Sequence, residues 1–280
     1  MPDQVRVQHV SGPRHQIAYR RQGSGPPLVL LHPLALSGAV WGEFADRLSE
    51  RFDVIAADAR GHGDSGWDGA PFSLDDLASD VATLLDGLGL EAASLAGLSM
   101  GGSTAIRFAA QHPARVARLL LADTTAWYGP DAVRTWDERA DSVLATPRPN
   151  QMPFQVDRWF TEGFRQRHPD EVHRVAGVFL RTSSLAHAQA CRALGAMDSR
   201  DRLAAITAPT LVLTGAEDYA TPPAMGRAIA DGVPSGTARV LDGLRHLSLI
   251  EAPDLAGTAA GFLTGTGAAG TGAAGTGARA

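Results

Sequence analysis

A single cysteine, Cys191, occurs among the 280 residues, so this chain can close no internal disulfide and supply no multi-cysteine metal site. A reducing compartment is the expectation. Long apolar runs are also missing. The longest, around Leu28 to Leu31 and Leu119 to Ala122, are strand-sized, far short of a membrane span. The amino terminus, M-P-D-Q-V-R-V-Q-H-V, has no basic start leading into an apolar stretch, which argues against a secretory signal. Taken together these features predict a cytoplasmic protein. Long runs of one charge are lacking too: 30 acidic and 25 basic residues interleave to a net charge of −5. Without a basic face a nucleic-acid partner is not expected. Neither H-E-x-x-H nor a comparable cluster occurs, so no metal and no cofactor are expected. D-A-R-G-H-G-D-S-G, starting at Asp58, has neither a G-K-[S/T] ending nor G-x-G-x-x-G spacing. It reads as a glycine-rich turn braced by Arg60, His62 and Asp64, not a phosphate loop.

What is present is a soluble globular composition, 44% hydrophobic and 20% charged, in a chain long enough for one large α/β domain. Val5, Val7 and Val10, then Ile17 and Tyr19, flank Ser11-Gly12-Pro13 and suggest an opening hairpin. Six apolar runs without polar alternation follow: Leu28 to Leu31, Val54 to Ala57, Ala92 to Ala96, Val116 to Ala122, Leu211 to Leu213 and Ala238 to Leu241. Such strands are buried on both faces, as in a parallel sheet covered by helices. Between them, Leu74, Leu77, Val81, Leu84, Leu85 and Leu88 fall at helical spacing behind a capping box, Ser73 with Asp76. The alternation predicts an α/β fold, with residues 1–127 and 204–263 as its core. Residues 128–203 carry helical spacing without a convincing strand and read as a helical cap inserted into that core. The Gly/Ala/Thr repeat of 264–280 has too little apolar surface to offset its ordering entropy and is expected to be disordered.

The sharpest local signal is G-L-S-M-G, Gly97 to Gly101. Glycine is so common here, at 31 residues, that context must decide. A strand is predicted to end at the motif and a helix, Ser103 to Ala110, to follow it, the setting that projects a strained Ser99 beyond the sheet edge. A serine hydroxyl needs a base and an orienting carboxylate. His246 follows the last predicted strand across a short loop, on the edge that strand carboxyl ends share. His112 should end a helix at the surface, and His168, His173 and His187 fall in the insertion. For the acid, Asp218 follows the Leu211 strand on a loop stiffened by Thr221-Pro222-Pro223 and is favoured over Asp123. Asp123, which ends the Val116 strand, reads as a loop-fixing residue bonded to its own backbone, and Glu217 is the lesser contender. An oxyanion would be met by the N–H of Met100, the residue after the serine, and by that of Leu34 in H-P-L-A-L, the first donor past Pro33. His32 is expected to shape that loop.

H-P-L, D-A-R-G-H-G-D-S-G, G-L-S-M-G-G, G-A-E-D and R-H-L-S-L-I-E-A-P, in this order, resemble the α/β-hydrolase superfamily from roughly Tyr19 to Leu263. L-L-A-D-T-T-A, R-W-F-T-E-G-F-R, A-C-R-A-L-G-A-M-D and A-P-T-L-V-L-T-G-A-E-D-Y-A-T-P-P resemble the 3-oxoadipate enol-lactonases of aromatic breakdown. The resemblance implies a serine hydrolase of a small ester or lactone, cofactor-free. The alternatives are another carboxylesterase or perhydrolase, a carbon–carbon bond hydrolase, and a non-catalytic small-molecule receptor on the same fold. An enol-lactone of that pathway carries a carboxylate. For its recognition Arg134 and Arg139 are the candidate cations, and Trp136 between them is the candidate apolar wall.

Overall fold

The computed structural model describes residues 6–266. Eight strands form one sheet: β1 (Val7–Ser11), β2 (Gln16–Gly23), β3 (Pro27–Leu31), β4 (Asp53–Ala57), β5 (Ala93–Leu98), β6 (Val116–Ala122), β7 (Thr210–Gly215) and β8 (Gly236–Leu241). Their spatial order is β1-β2-β4-β3-β5-β6-β7-β8, with β1 and β2 antiparallel and the rest parallel. Around it lie α1 (Gly42–Ser49), α2 (Leu74–Gly87), α3 (Met100–Gln111), α4 (Ala132–Ala145), α5 (Arg148–Trp159), α6 (Glu162–Arg167), α7 (Pro169–Arg181), α8 (Ser184–Gly195), α9 (Pro223–Gly232), α10 (Ser248–Glu251) and α11 (Leu255–Thr264).

The central strands lack alternation because each face of the sheet has its own core. In β3, Leu28 and Leu30 pack with Trp41, Phe44 and Phe179, while Val29 and Leu31 pack with Leu84 and Phe108 on the other side. Full burial of each such side chain contributes about 2 kcal/mol. One strand departs from the expectation. β8 is the sheet's last strand, and Thr237 to Val240 are exposed, so its apolar run marks an edge and not a doubly covered strand. The opening hairpin forms with Val10 paired to Ile17; Val5 lies outside the described residues. Ser73 and Asp76 cap α2 reciprocally, as the spacing predicts. The last helical stretch is broken into α10 and α11, with Pro253 in the gap.

Register fixes where chemistry can occur. Leu31 pairs with Gly97, Leu98 with Ala122 and Gly215 with Leu241, so the loops after β3, β5, β6, β7 and β8 emerge along one edge. Five helices, α4 to α8, lie between β6 and β7, and their chain leaves and returns at one place, where Trp127 bridges Asp198. They pack over that edge: Thr182 Oγ1 donates to Ala35 O at 2.9 Å, and Arg174 donates to the carbonyls of Ala39 and Val40, each at 2.6 Å. The repeat at 264–280 falls outside the described residues beyond Thr266, and only its first residues are seen, ending α11. Among the described residues no helix is long and apolar enough to cross a membrane.

Candidate active site

Three residues other than glycine have positive φ among the described residues, Ala35 (62°), Ser99 (55°) and Asp123 (46°), and all three sit in loops at the carboxyl edge. Such conformations cost about 1–3 kcal/mol each and persist only where the surroundings over-determine them. For Ser99 the surroundings are explicit. Its N–H donates to Ala122 O at 2.9 Å, and its carbonyl accepts from Thr124 Oγ1 at 2.7 Å and from Ser103 N at 3.0 Å. Gly101 cannot be larger, because a β-carbon there would collide with the carbonyl of Leu31. α3 therefore starts at Met100, immediately after the serine and three residues earlier than the sequence suggests. The Met100 N–H is one of the donors that a helix start leaves without an intrahelical partner.

The turn directs the Ser99 hydroxyl to His246, whose Nε2 lies 2.9 Å from Ser99 Oγ. On the ring's other side Nδ1 lies 2.9 Å from Asp218 Oδ2. Asp218 is held in turn by Thr221 Oγ1 (2.6 Å), Ala220 N (2.8 Å) and Thr221 N (3.1 Å). Burial raises the pKa of Asp218, but the His246 ring and the Thr221 hydrogen bonds outweigh burial and bring it down to about 2. Asp123 does different work from that expected. Its carboxylate accepts from Gly215 N and Ser248 N, both at 2.9 Å, so it ties together the loops that carry Asp218 and His246 rather than bonding its own backbone. Burial, then the charge of Asp218, push its carboxyl well above the usual range. Glu217 instead lies near Arg245.

His32 fixes the loop opposite. Its Nδ1 lies 2.7 Å from Pro33 O while Nε2 accepts the Ala59 N–H at 2.9 Å, so Nδ1 carries the proton of a neutral ring. Burial lowers its pKa to about 4, and that of His62 beside it to about 3. The glycine-rich turn is braced from a residue that the sequence pattern did not single out: Asp58 accepts from Gly38 N (2.6 Å), Asp64 N (2.9 Å) and Arg20. Arg60 reaches away to Asp80, and Asp64 pairs with Arg20.

Ser99, His246 and Leu34 open onto a pocket of about 300 Å³, walled on the insertion side by Trp136 and Arg139. Arg134 is not there. Its side chain is 64% exposed and paired with Asp131 and Glu138, because it leaves α4 on the face away from the pocket. α5 supplies three lining residues that the sequence did not single out, Gln155, Arg158 and Trp159. Their i, i+3, i+4 spacing puts them on one helix face, a signal that was legible, but which face overhangs the serine is settled only by packing.

α5 is also bolted to the histidine loop. Leu247 N donates to Trp159 O at 3.1 Å, Arg245 pairs with Asp157 at 3.0 Å, and the Glu251 carboxylate accepts from Arg245 N, Thr161 N and Thr161 Oγ1.

Known proteins share this frame. The 3-oxoadipate enol-lactonase 2 of Acinetobacter baylyi is 32% identical over 83% of this chain and 86% of its own. The crystal structure of the enol-lactonase from Burkholderia xenovorans LB400 superposes with a TM-score of 0.85 at 32% identity, covering 92% of this chain and all (100%) of that one. A thermophilic esterase from Thermogutta terrifontis reaches a TM-score of 0.86 at 28% identity, over 93% and 99% of the two chains. Residues 26–253 match the family defined by the alpha/beta hydrolase fold, and with the strand order and the serine turn described above this places the chain in the α/β-hydrolase family, as a hydrolase of the carboxylic ester kind.

Proposed function

We propose that the protein hydrolyses a small carboxylic ester or lactone through an acyl-enzyme, with Ser99 as nucleophile, His246 as base and Asp218 as orienting acid. The observation that carries this reading is the continuous relay Ser99 Oγ, His246 Nε2, His246 Nδ1, Asp218 Oδ2, with 2.9 Å at both junctions. Ser99 Oγ attacks the carbonyl carbon as its proton passes to His246 Nε2. The oxyanion is met by the amides of Met100 and Leu34, neither of which is committed to a hydrogen bond within the described residues. The C–O bond to the alcohol then breaks, and His246 returns the proton to the leaving oxygen. Water, deprotonated by the same nitrogen, attacks the acyl carbon and releases the acid and the free serine.

The helices of 128–203 act as a cap over this centre, and Trp136 and Arg139 are its substrate contacts; Arg134, turned to solvent, is withdrawn from that role. Similarity to enol-lactonases supports 3-oxoadipate enol-lactone as the substrate, and a role in aromatic catabolism in the cytoplasm. Its ring opens to an enol that tautomerises to a ketone, which opposes re-closure, a hazard where the leaving group stays tethered. Ser99→Ala should abolish turnover and labelling by a fluorophosphonate probe. A labelled, active variant would mean that another residue is the nucleophile. Product analysis with the enol-lactone tests the substrate: no ring opening at enzyme concentrations that cleave p-nitrophenyl acetate would favour a plain carboxylesterase.

A further inference from the structure

The pocket wall beside Ser99 holds two guanidinium groups and no carboxylate. Most arginines of the insertion are neutralised locally: Arg134 by Asp131 and Glu138, Arg165 by Asp157, Arg174 by Glu171, Arg192 by Asp141. Arg139 and Arg158 differ. Among the described residues neither has a hydrogen-bond or ion-pair partner, although both are half-buried. Arg139 lies with its guanidinium carbon 4.8 Å from the centre of the Trp136 ring, which holds the cation flat against the wall without neutralising it. Arg158 is desolvated, and burial followed by the charge of Arg139 lowers its pKa to about 10, so the two cations act on each other. Gln155, one helical turn before Arg158, is only 5% exposed and its amide also has no partner among the described residues. Buried polar groups left unpaired in this way are costly, and two unneutralised cations at one wall more so. An anion between them would remove both penalties, and its planar two-oxygen form would suit the guanidinium fork.

From this wall we infer that Arg139 and Arg158, with the Gln155 amide, form a carboxylate subsite, so that the substrate is a half-acid: one cleavable ester or lactone carbonyl and one free carboxylate. The inference rests on Ser99 being the nucleophile in defining which end is cleaved, but the subsite itself is a binding property. It predicts that simple neutral esters are poor substrates, and that the diacid released from a half-ester competes for the same wall.

The test is calorimetric, on the full chain carrying Ser99→Ala, so that no turnover occurs. Monomethyl glutarate and dimethyl glutarate match in shape and differ by one charge. The monoester should bind at least tenfold more tightly, and raised salt should weaken the monoester alone. Adding Arg158→Gln or Arg139→Gln should erase most of that preference, whereas Arg158→Lys, which keeps the charge without the fork, should retain part of it. Circular dichroism checks that each variant folds, and the salt dependence of the parent decides the matter if a Gln variant does not. Equal binding of the two esters, salt-independent binding, or a preference that survives both Gln substitutions would overturn the subsite. Loss of the subsite would leave the nucleophile assignment standing, because fluorophosphonate labelling of Ser99 tests that separately.

Discussion

Asp218→Asn separates the two buried carboxylates most sharply. Oδ1 of Asp218 accepts two backbone N–H groups, from Ala220 and Thr221, while Oδ2 faces His246 Nδ1 and the Thr221 hydroxyl. The new amide can keep its oxygen toward the two N–H donors or toward the imidazole, not both. Turning its NH2 onto Ala220 N and Thr221 N would strand two buried donors, at about 1–3 kcal/mol each. The oxygen therefore stays on the backbone and the NH2 faces Nδ1, which must then accept. That forces the proton onto Nε2, where it points at Ser99 and the ring cannot act as base. In an unrelated serine protease the same Asp-to-Asn change imposes the wrong tautomer and lowers kcat about 10⁴-fold, equivalent to roughly 5 kcal/mol of transition-state stabilisation, and a loss of that order is expected here. Asp123→Asn is the control. Its NH2 must oppose either Gly215 N or Ser248 N, so it should destabilise the fold by about 1–3 kcal/mol and lower kcat far less. Initial rates with p-nitrophenyl acetate and urea melts of both variants decide. A collapse of kcat in Asp123→Asn with near-normal turnover in Asp218→Asn would refute the assignment and exchange the two roles.

Gly101→Ala should cost several kcal/mol or prevent folding, read as a lost or strongly lowered Tm, because the added carbon meets the Leu31 backbone and no side chain there can yield. Acid should destabilise the protein through His32 and His62, whose folded pKa values of about 4 and about 3 lie below the unfolded value. The unfolded chain binds protons first, so stability is constant above the unfolded pKa and falls as pH drops from about 6.5 toward the folded values, by about 2 kcal/mol for each ring at about pH 5. Urea midpoints that do not move between about pH 7 and about pH 5 would contradict this. Glu251→Ala leaves the Thr161 and Arg245 amides unpaired and should lower both Tm and kcat, whereas Glu251→Gln, keeping one acceptor, should lose less of each; a fall in Tm alone would deny the carboxylate any hold on His246.

How far the residues could be read in advance depended on whether the signal was local. Strands β3 to β7 were legible because burial on both faces removes alternation, and the serine turn because Gly97 and Gly101 are sterically required. β8 carried the same apolar signature at an edge, since pattern alone does not say how many faces a strand buries. Asp123 and Asp218 were both placed at the carboxyl edge by their strands, but that Asp123 spans two other loops depends on contacts 92 and 125 residues away in sequence. Arg134 and Arg139 looked equivalent in sequence. They diverge because they are five apart, which on a helix of 3.6 residues per turn puts them well over a quarter-turn out of phase. Arg158 gave no sign, because a lone arginine on a helix is ordinarily solvated and only the missing acid around it is informative.

The bolts between α5 and the loop from Arg245 to Glu251 bear on how such a protein could be re-engineered. A helical insertion that returns to its starting point at Trp127 and Asp198 invites wholesale exchange with the corresponding segment of a relative. Here the graft would have to carry residues 245–251 with it, since Asp157, Trp159 and Thr161 each hold that stretch in place on either side of His246. The transplantable unit is thus discontinuous in sequence: a chimaera built on the insertion alone would import a new binding wall and misalign the imidazole that serves it.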